Sequence, residues 1–98
     1  MNIIFANRLL KEAASDRGKA IRQWGPDAGK RYGLRITQLA NAPSFQALHT
    51  VAALRLHKLT GDRKDTYSIT LHGRWRIVVS CPSAKEIRVE EVTNHYGD

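Results

Sequence analysis

Apolar positions along this chain change their period once, near Val51. Before that point they recur at helical spacing, and after it they alternate. Asn2 to Phe5 is a short apolar run that predicts an edge strand. Arg8 to Ala14 predicts a helix with Leu9, Leu10, Ala13 and Ala14 on one side. Asp16 is placed to cap a second helical segment, in which Ala20, Ile21 and Trp24 share a face. Gly25-Pro26 breaks it, and Pro26 suits the first turn of the next helix, with Asp27 near its positive end. That helix is predicted to run to about Ala40, with Tyr32, Ile36, Leu39 and Ala40 facing the core and Lys30, Arg31 and Arg35 largely elsewhere. Asn41-Ala42-Pro43 ends it, and Ser44 to Leu48 predicts one further short turn.

The second half reads as strands. Ala53 to Leu59 is the first, with Leu54 and Leu56 facing in and Arg55 and His57 facing out. Thr66 to Leu71 is the second, with Tyr67, Ile69 and Leu71 on one face and Thr66, Ser68 and Thr70 on the other. His72-Gly73 is expected to turn the chain into a third strand, Arg74 to Ser80, where Trp75, Ile77 and Val79 share a face. Pro82 to Lys85 makes the next turn, and Ile87 to Val92 is the last strand. Helices first and hairpins second imply an α+β domain, a small antiparallel sheet with the N-terminal helices packed on one face. The other face would then carry Arg55, His57, Ser68, Arg74 and Arg76 together. An ordinary solvated sheet face with scattered charges is the competing reading of the same pattern.

Composition narrows the partners. Ninety-eight residues leave room for a single domain, residues 1–98, and 42% apolar content supports a packed core. The net charge of +7 points to a polyanionic partner: RNA, DNA, an anionic membrane or an acidic protein. No apolar run is long enough to span a bilayer, and the first residues lack a signal-peptide pattern, so a cytoplasmic protein is expected. The single cysteine, Cys81, excludes an internal disulfide and a cysteine-based zinc site. The four histidines show no zinc-like pairing, which argues against a metal site.

A histidine among arginines suits chemistry on a phosphodiester. Histidine moves a proton near neutral pH, and arginine holds the charge that builds on phosphate oxygens. His57 is the first candidate. His95, beside Tyr96 in the tail, is the second and could complete an acid–base pair with it. His49, in a loop, and His72, in a hairpin turn, read as plain surface histidines.

The stretch from His57 to Ile77, H-K-L-T-G-D-R-K-D-T-Y-S-I-T-L-H-G-R-W-R-I, resembles the HigB branch of the RelE/ParE toxin superfamily. That branch carries a histidine, a leucine, Gly-Asp-Arg, an aromatic-Ser-Ile/Leu strand, a turn and an aromatic-Arg-Ile/Leu strand. Trp24-Gly25-Pro26 before a basic helix and a last strand ending near His95 extend the resemblance to nearly the whole chain. It implies a type II toxin that cleaves mRNA on the translating 70S ribosome without a metal or other cofactor. A small helix-turn-helix antitoxin, in a toxin–antitoxin hetero-oligomer, would neutralise it. By the same resemblance, His57, Arg76 and His95 match the family's catalytic positions, with Arg76 on the phosphate. Arg55, Lys58, Arg74 and Tyr96 are expected to help bind RNA.

The sequence also departs from the family. Many members have an acidic residue and a tyrosine just before the C-terminal histidine, where this chain has Thr93 and Asn94. A family lysine before Gly-Asp-Arg is replaced by Thr60, and Lys58, expected on the same strand face, is the available substitute. Two other functions fit the superfamily or the charge. One is a ParE-like toxin that poisons DNA gyrase without nuclease activity. The other is an inactive RNA-binding relative.

Overall fold

The computed structural model describes residues 1–61 and 65–94. Strand β1 (Asn2–Phe5) leads into helices α1 (Arg8–Ser15), α2 (Arg17–Trp24), α3 (Pro26–Asn41) and α4 (Phe45–Leu48). A 3-10 turn (Ala52–Leu54) follows, then β2 (His57–Lys58), β3 (Thr66–His72), β4 (Trp75–Ser83) and β5 (Glu86–Thr93). The strands form one sheet in the order β1-β5-β4-β3-β2. β2 to β5 pair antiparallel as expected, while β1 lies parallel to β5 on the far edge. The helices lie on one side of this sheet and share one core with it, so the expected α+β arrangement is the observed one.

Local chemistry explains the helices. The side chain of Asn7 accepts from the Leu10 amide and that of Asp16 from the Lys19 amide, each at 3.0 Å. Such caps satisfy amides that have no partner within the helix and contribute about 1 kcal/mol each. Gly29 lets α3 lie directly on α2, because a Cβ there would sit 2.6 Å from the Ile21 Cα. The Tyr32 hydroxyl, fully buried beside Trp24, donates to the Leu10 carbonyl at 2.8 Å and ties α3 to α1. Burial pushes the Tyr32 phenol well above its ordinary pKa.

The core is a two-layer seam. Leu10, Ala20, Tyr32, Ile36 and Leu39 from the helices meet Ile69, Leu71, Ile77, Val79, Ile87 and Val89 from the strands. Leu9 and Ala40, expected on apolar helix faces, are exposed. Ala40 lies about 100° round the helix from Leu39, so the core stripe of α3 is narrower than its sequence suggests. Among the described residues, no helix is long and apolar enough to cross a membrane.

The strand expected over Ala53–Leu59 is replaced by a tighter construction. Its first part is the 3-10 turn, Arg55 takes a left-handed conformation (φ 47°), and only His57 and Lys58 pair with β3. Leu54 is fully buried by that turn, not by strand alternation. The β3–β4 turn is Gly73-Arg74, one residue later than expected, because a bulge between Thr70 and His72 adds a residue to β3. Gly73 supplies the positive φ (57°) that the turn needs.

Candidate functional site

The open face of the sheet can be read off its register. Thr70, Arg76 and Thr93 form one row across β3, β4 and β5. His57, Ser68, Val78 and Glu91 form the next row, across all four antiparallel strands. The open face thus carries His57, Ser68 and Arg76 as expected. From ordinary sheet spacings, the His57 and Arg76 backbones stand about 12 Å apart. Two long side chains can converge on one phosphodiester across that gap.

His57 is held by its own chain. Its Nδ1 lies 3.1 Å from the Arg55 carbonyl oxygen. A carbonyl can only accept, so Nδ1 carries the proton, and in the neutral ring Nε2 is the basic nitrogen. The buried Leu54 anchors the turn, and the left-handed Arg55 brings its carbonyl back toward the imidazole. The tautomer of the candidate base is therefore set by backbone geometry.

Arg76 is anchored at the opposite corner. Its Nη1 donates to the carbonyls of Gly73 at 2.6 Å and Trp75 at 3.0 Å. The guanidinium is a planar fork with five donors. The β3 bulge sits beside it, and Arg35 of α3 donates to the Thr70 carbonyl at 3.1 Å from the helical side. Arg74 is exposed in the turn and does not lie on β4. Arg55 is exposed in the segment leading to β2 and does not lie on a strand face. Lys58 pairs with Tyr67 and so belongs to the face opposite His57.

His95 and Tyr96 lie outside the described residues. Thr93 ends β5 in the Arg76 row. His72 is on β3, its Nε2 3.6 Å from an Asp27 carboxylate oxygen. His49 is exposed, with its ring edge-on to Phe45 at 5.6 Å. Cys81 is half-buried, its Sγ 3.2 Å from the Ser83 carbonyl, and burial raises its thiol pKa. Among the described residues, no cluster of three histidine, cysteine or acidic side chains could hold a metal ion.

Two features of the face escaped sequence reasoning. The first is Glu91, a carboxylate in the His57–Ser68–Val78 row and diagonal to Arg76 on the neighbouring strand. Glu90 is the extra residue in β5 at the register shift, and it is bonded to Ser80 and Arg88. The alternation Glu91, Thr93 was the available signal. The second is burial at the centre of this face. Ser68 is 0% exposed and Val78 3%, though neither belongs to the core between sheet and helices. Among the described residues, the Ser68 hydroxyl is the one buried side-chain polar atom with no hydrogen-bond partner.

No family model and no curated protein matches this chain. Among solved structures it is similar to a chain of the YoeB-YefM complex from Staphylococcus aureus. The similarity covers 98% of both chains, at a TM-score of 0.59 and 17% sequence identity. What the two chains share at that identity is the fold.

Proposed function

We propose that this chain is a RelE/ParE-type toxin of the HigB branch, a ribosome-dependent endoribonuclease held in check by a cognate antitoxin. The observation that carries the reading is His57, with its Nδ1 on the Arg55 carbonyl, and Arg76 on one face of the sheet. The His57-to-Ile77 resemblance supports it, as does a fold shared with a chain that was solved within a two-protein complex.

The reaction uses this pair and takes His95 from the resemblance. The ribose 2′-hydroxyl gives its proton to Nε2 of His57 as its oxygen attacks the adjacent phosphorus. Negative charge grows on the phosphate oxygens, where the Arg76 fork strengthens its bonds in the transition state. The bond to the 5′ oxygen breaks, and His95 donates the proton that this oxygen takes up. The products are a 2′,3′-cyclic phosphate and a 5′-hydroxyl. Glu91, diagonal to Arg76, orients the guanidinium. Arg55 and Arg74, at the two ends of the face, hold flanking phosphates, and Tyr96 contacts RNA beside His95. So small a face orients RNA weakly alone, and the ribosome supplies the positioning, a contribution that reaches several kcal/mol in well-ordered systems.

Induced expression without the partner is the test. Growth and amino-acid incorporation should stop before DNA synthesis, and mapped message ends should lie within translated reading frames. Purified protein should cut ribosome-bound message much faster than naked RNA. His57→Ala, Arg76→Ala and His95→Ala should each slow cleavage by about a hundredfold or more, while His49→Ala and His72→Ala should not. Arrest of DNA replication with messages intact would favour gyrase poisoning instead. Full toxicity of the His57→Ala and His95→Ala variants at equal expression would remove the catalytic assignment.

A further inference from the structure

Helix α3 presents an apolar side chain to solvent in the middle of a cationic surface. Leu34 is 62% exposed, the most exposed of the large hydrophobic residues described. It is a ridge between two clefts. One, of about 250 Å³, lies toward the end of α1 and has Ala13, Ala14 and Gly33 in its wall. The other, of about 350 Å³, lies on the far side of Leu34. Arg17 borders the first cleft, Arg31 and Arg35 the second, and Lys30 both.

The charges here are not internally balanced. Among the described residues, Arg17, Lys30 and Arg31 form no ion pair. The one acid on the rim, Asp27, stands 3.6 Å from His72. Arg31 and Arg35 are one turn apart with like charge, an arrangement that weakens a helix slightly. Burial, and then the repulsion of Arg31, lower the Arg35 pKa. By contrast, Glu12 on α1 is already bonded to both Arg8 and Lys19.

We infer that this face of α3 docks an acidic amphipathic segment of a partner protein, with aliphatic side chains in the clefts beside Leu34 and carboxylates on Lys30, Arg31 and Arg17. The inference deepens the reading above by giving the antitoxin a surface, and it depends on that reading only for the partner's identity. Charge and apolar content together select this occupant. A nucleic-acid backbone would meet the cations but has nothing apolar to place against Leu34 and Ala14. A second copy of the chain carries the same net +7 and would be repelled. Interfaces of this kind centre on a desolvated apolar anchor ringed by charge pairs that set orientation.

The probe is a synthetic amphipathic peptide of glutamate and leucine, titrated into the isotope-labelled chain and followed by amide NMR shifts. A peptide with serine replacing leucine and a short oligouridylate are the comparison ligands. The leucine peptide should shift amides of Lys30–Thr37 and Ala13–Arg17, and binding should weaken about tenfold with the serine peptide. L34S should produce a similar loss. K30E combined with R31E should weaken binding by at least tenfold and flatten its salt dependence. Oligouridylate should shift the open sheet face instead. Two results would overturn the inference: no peptide-induced shift on α3 up to millimolar peptide, or oligouridylate shifting the same α3 amides with L34S indifferent. Toxicity is measured separately. A non-toxic chain that binds the peptide on α3 removes the toxin reading alone, and a toxic chain whose α3 ignores the peptide removes this inference alone.

Discussion

The two faces of the sheet are made by the same strands and obey different rules. On the helical side, Ile69, Ile77, Val79, Ile87 and Val89 are fully buried in one core with the helices, of which α1 and α2 begin at side-chain caps. Local propensity, pattern and packing agree there, which is what makes a sequence specify one structure. On the open side, a hydroxyl is buried without a partner, a non-glycine residue is left-handed, and register shifts interrupt both hairpins. Local irregularity of this kind concentrates at sites that bind or react, because the surrounding structure holds it in place. The helical side supplies stability, and the open side spends some of it to hold groups in chosen positions.

Adjacent valines on β4 give the sharpest test of that contrast. Val79 points into the core and Val78 into the open face, and both are nearly inaccessible. Val79→Ala should cost about 2.5 kcal/mol, the lost burial plus the cavity it leaves in a well-packed seam. Val78→Ala should cost about 1 kcal/mol, because it lies outside that seam. Urea denaturation of both variants checks the pair. Equal losses would mean that the open face is a second core, and the contrast would fail.

The sequence made the helical side legible because its signals are local. Asn7, Asp16 and Pro26 mark helix starts, and Tyr32, Ile36 and Leu39 keep one period throughout α3. Alternation in β3 and β4 also assigned Ser68 and Arg76 to the correct face. It failed at Ala53–Leu59, where Leu54 and Leu56 imitate a strand but Leu54 is buried by a turn. It also missed Glu91 and shifted the Gly73-Arg74 turn by one residue, because a bulge adds a residue that no periodic count anticipates. The burial of Ser68 depends on what lies over the face, which is a tertiary fact and leaves no local mark.

Ser68 tests whether the open face trades stability for function. A buried hydroxyl without a partner carries a desolvation penalty of about 1–3 kcal/mol that an apolar group does not. Ser68→Ala should therefore stabilise the chain by about 1 kcal/mol, part of the gain being lost to the small void and to alanine's weaker strand preference. For a domain of this size, that corresponds to a rise in Tm of about 4–8 °C, measurable by calorimetry. RNA cleavage by the same variant is the second readout. A variant that is more stable but cleaves RNA more slowly fits a face shaped by function. If Ser68→Ala is instead destabilised, the hydroxyl has a partner in solution and the argument from its isolation is lost.

The smallest effect concerns Arg55, where backbone and side chain can be separated. Its left-handed conformation (φ 47°) costs a side-chain-bearing residue about 1 kcal/mol and glycine almost nothing. Glycine offsets most of that saving by making the unfolded chain freer, by about 0.4–1 kcal/mol. Arg55→Gly should thus change stability by only a few tenths of a kcal/mol, while Arg55→Ala, which keeps the strain, should be the less stable of the two. Both keep the carbonyl that accepts from His57 Nδ1, so the imidazole nitrogen shifts seen by NMR should retain the Nδ1–H tautomer in both. Both also remove one cation from the edge of the face, so RNA affinity should fall by a similar factor in each and its salt dependence should weaken by about one phosphate contact. Equal stability of the glycine and alanine variants would show that residue 55 is unstrained in solution. A change of His57 tautomer in either would show that the Arg55 carbonyl does not set it.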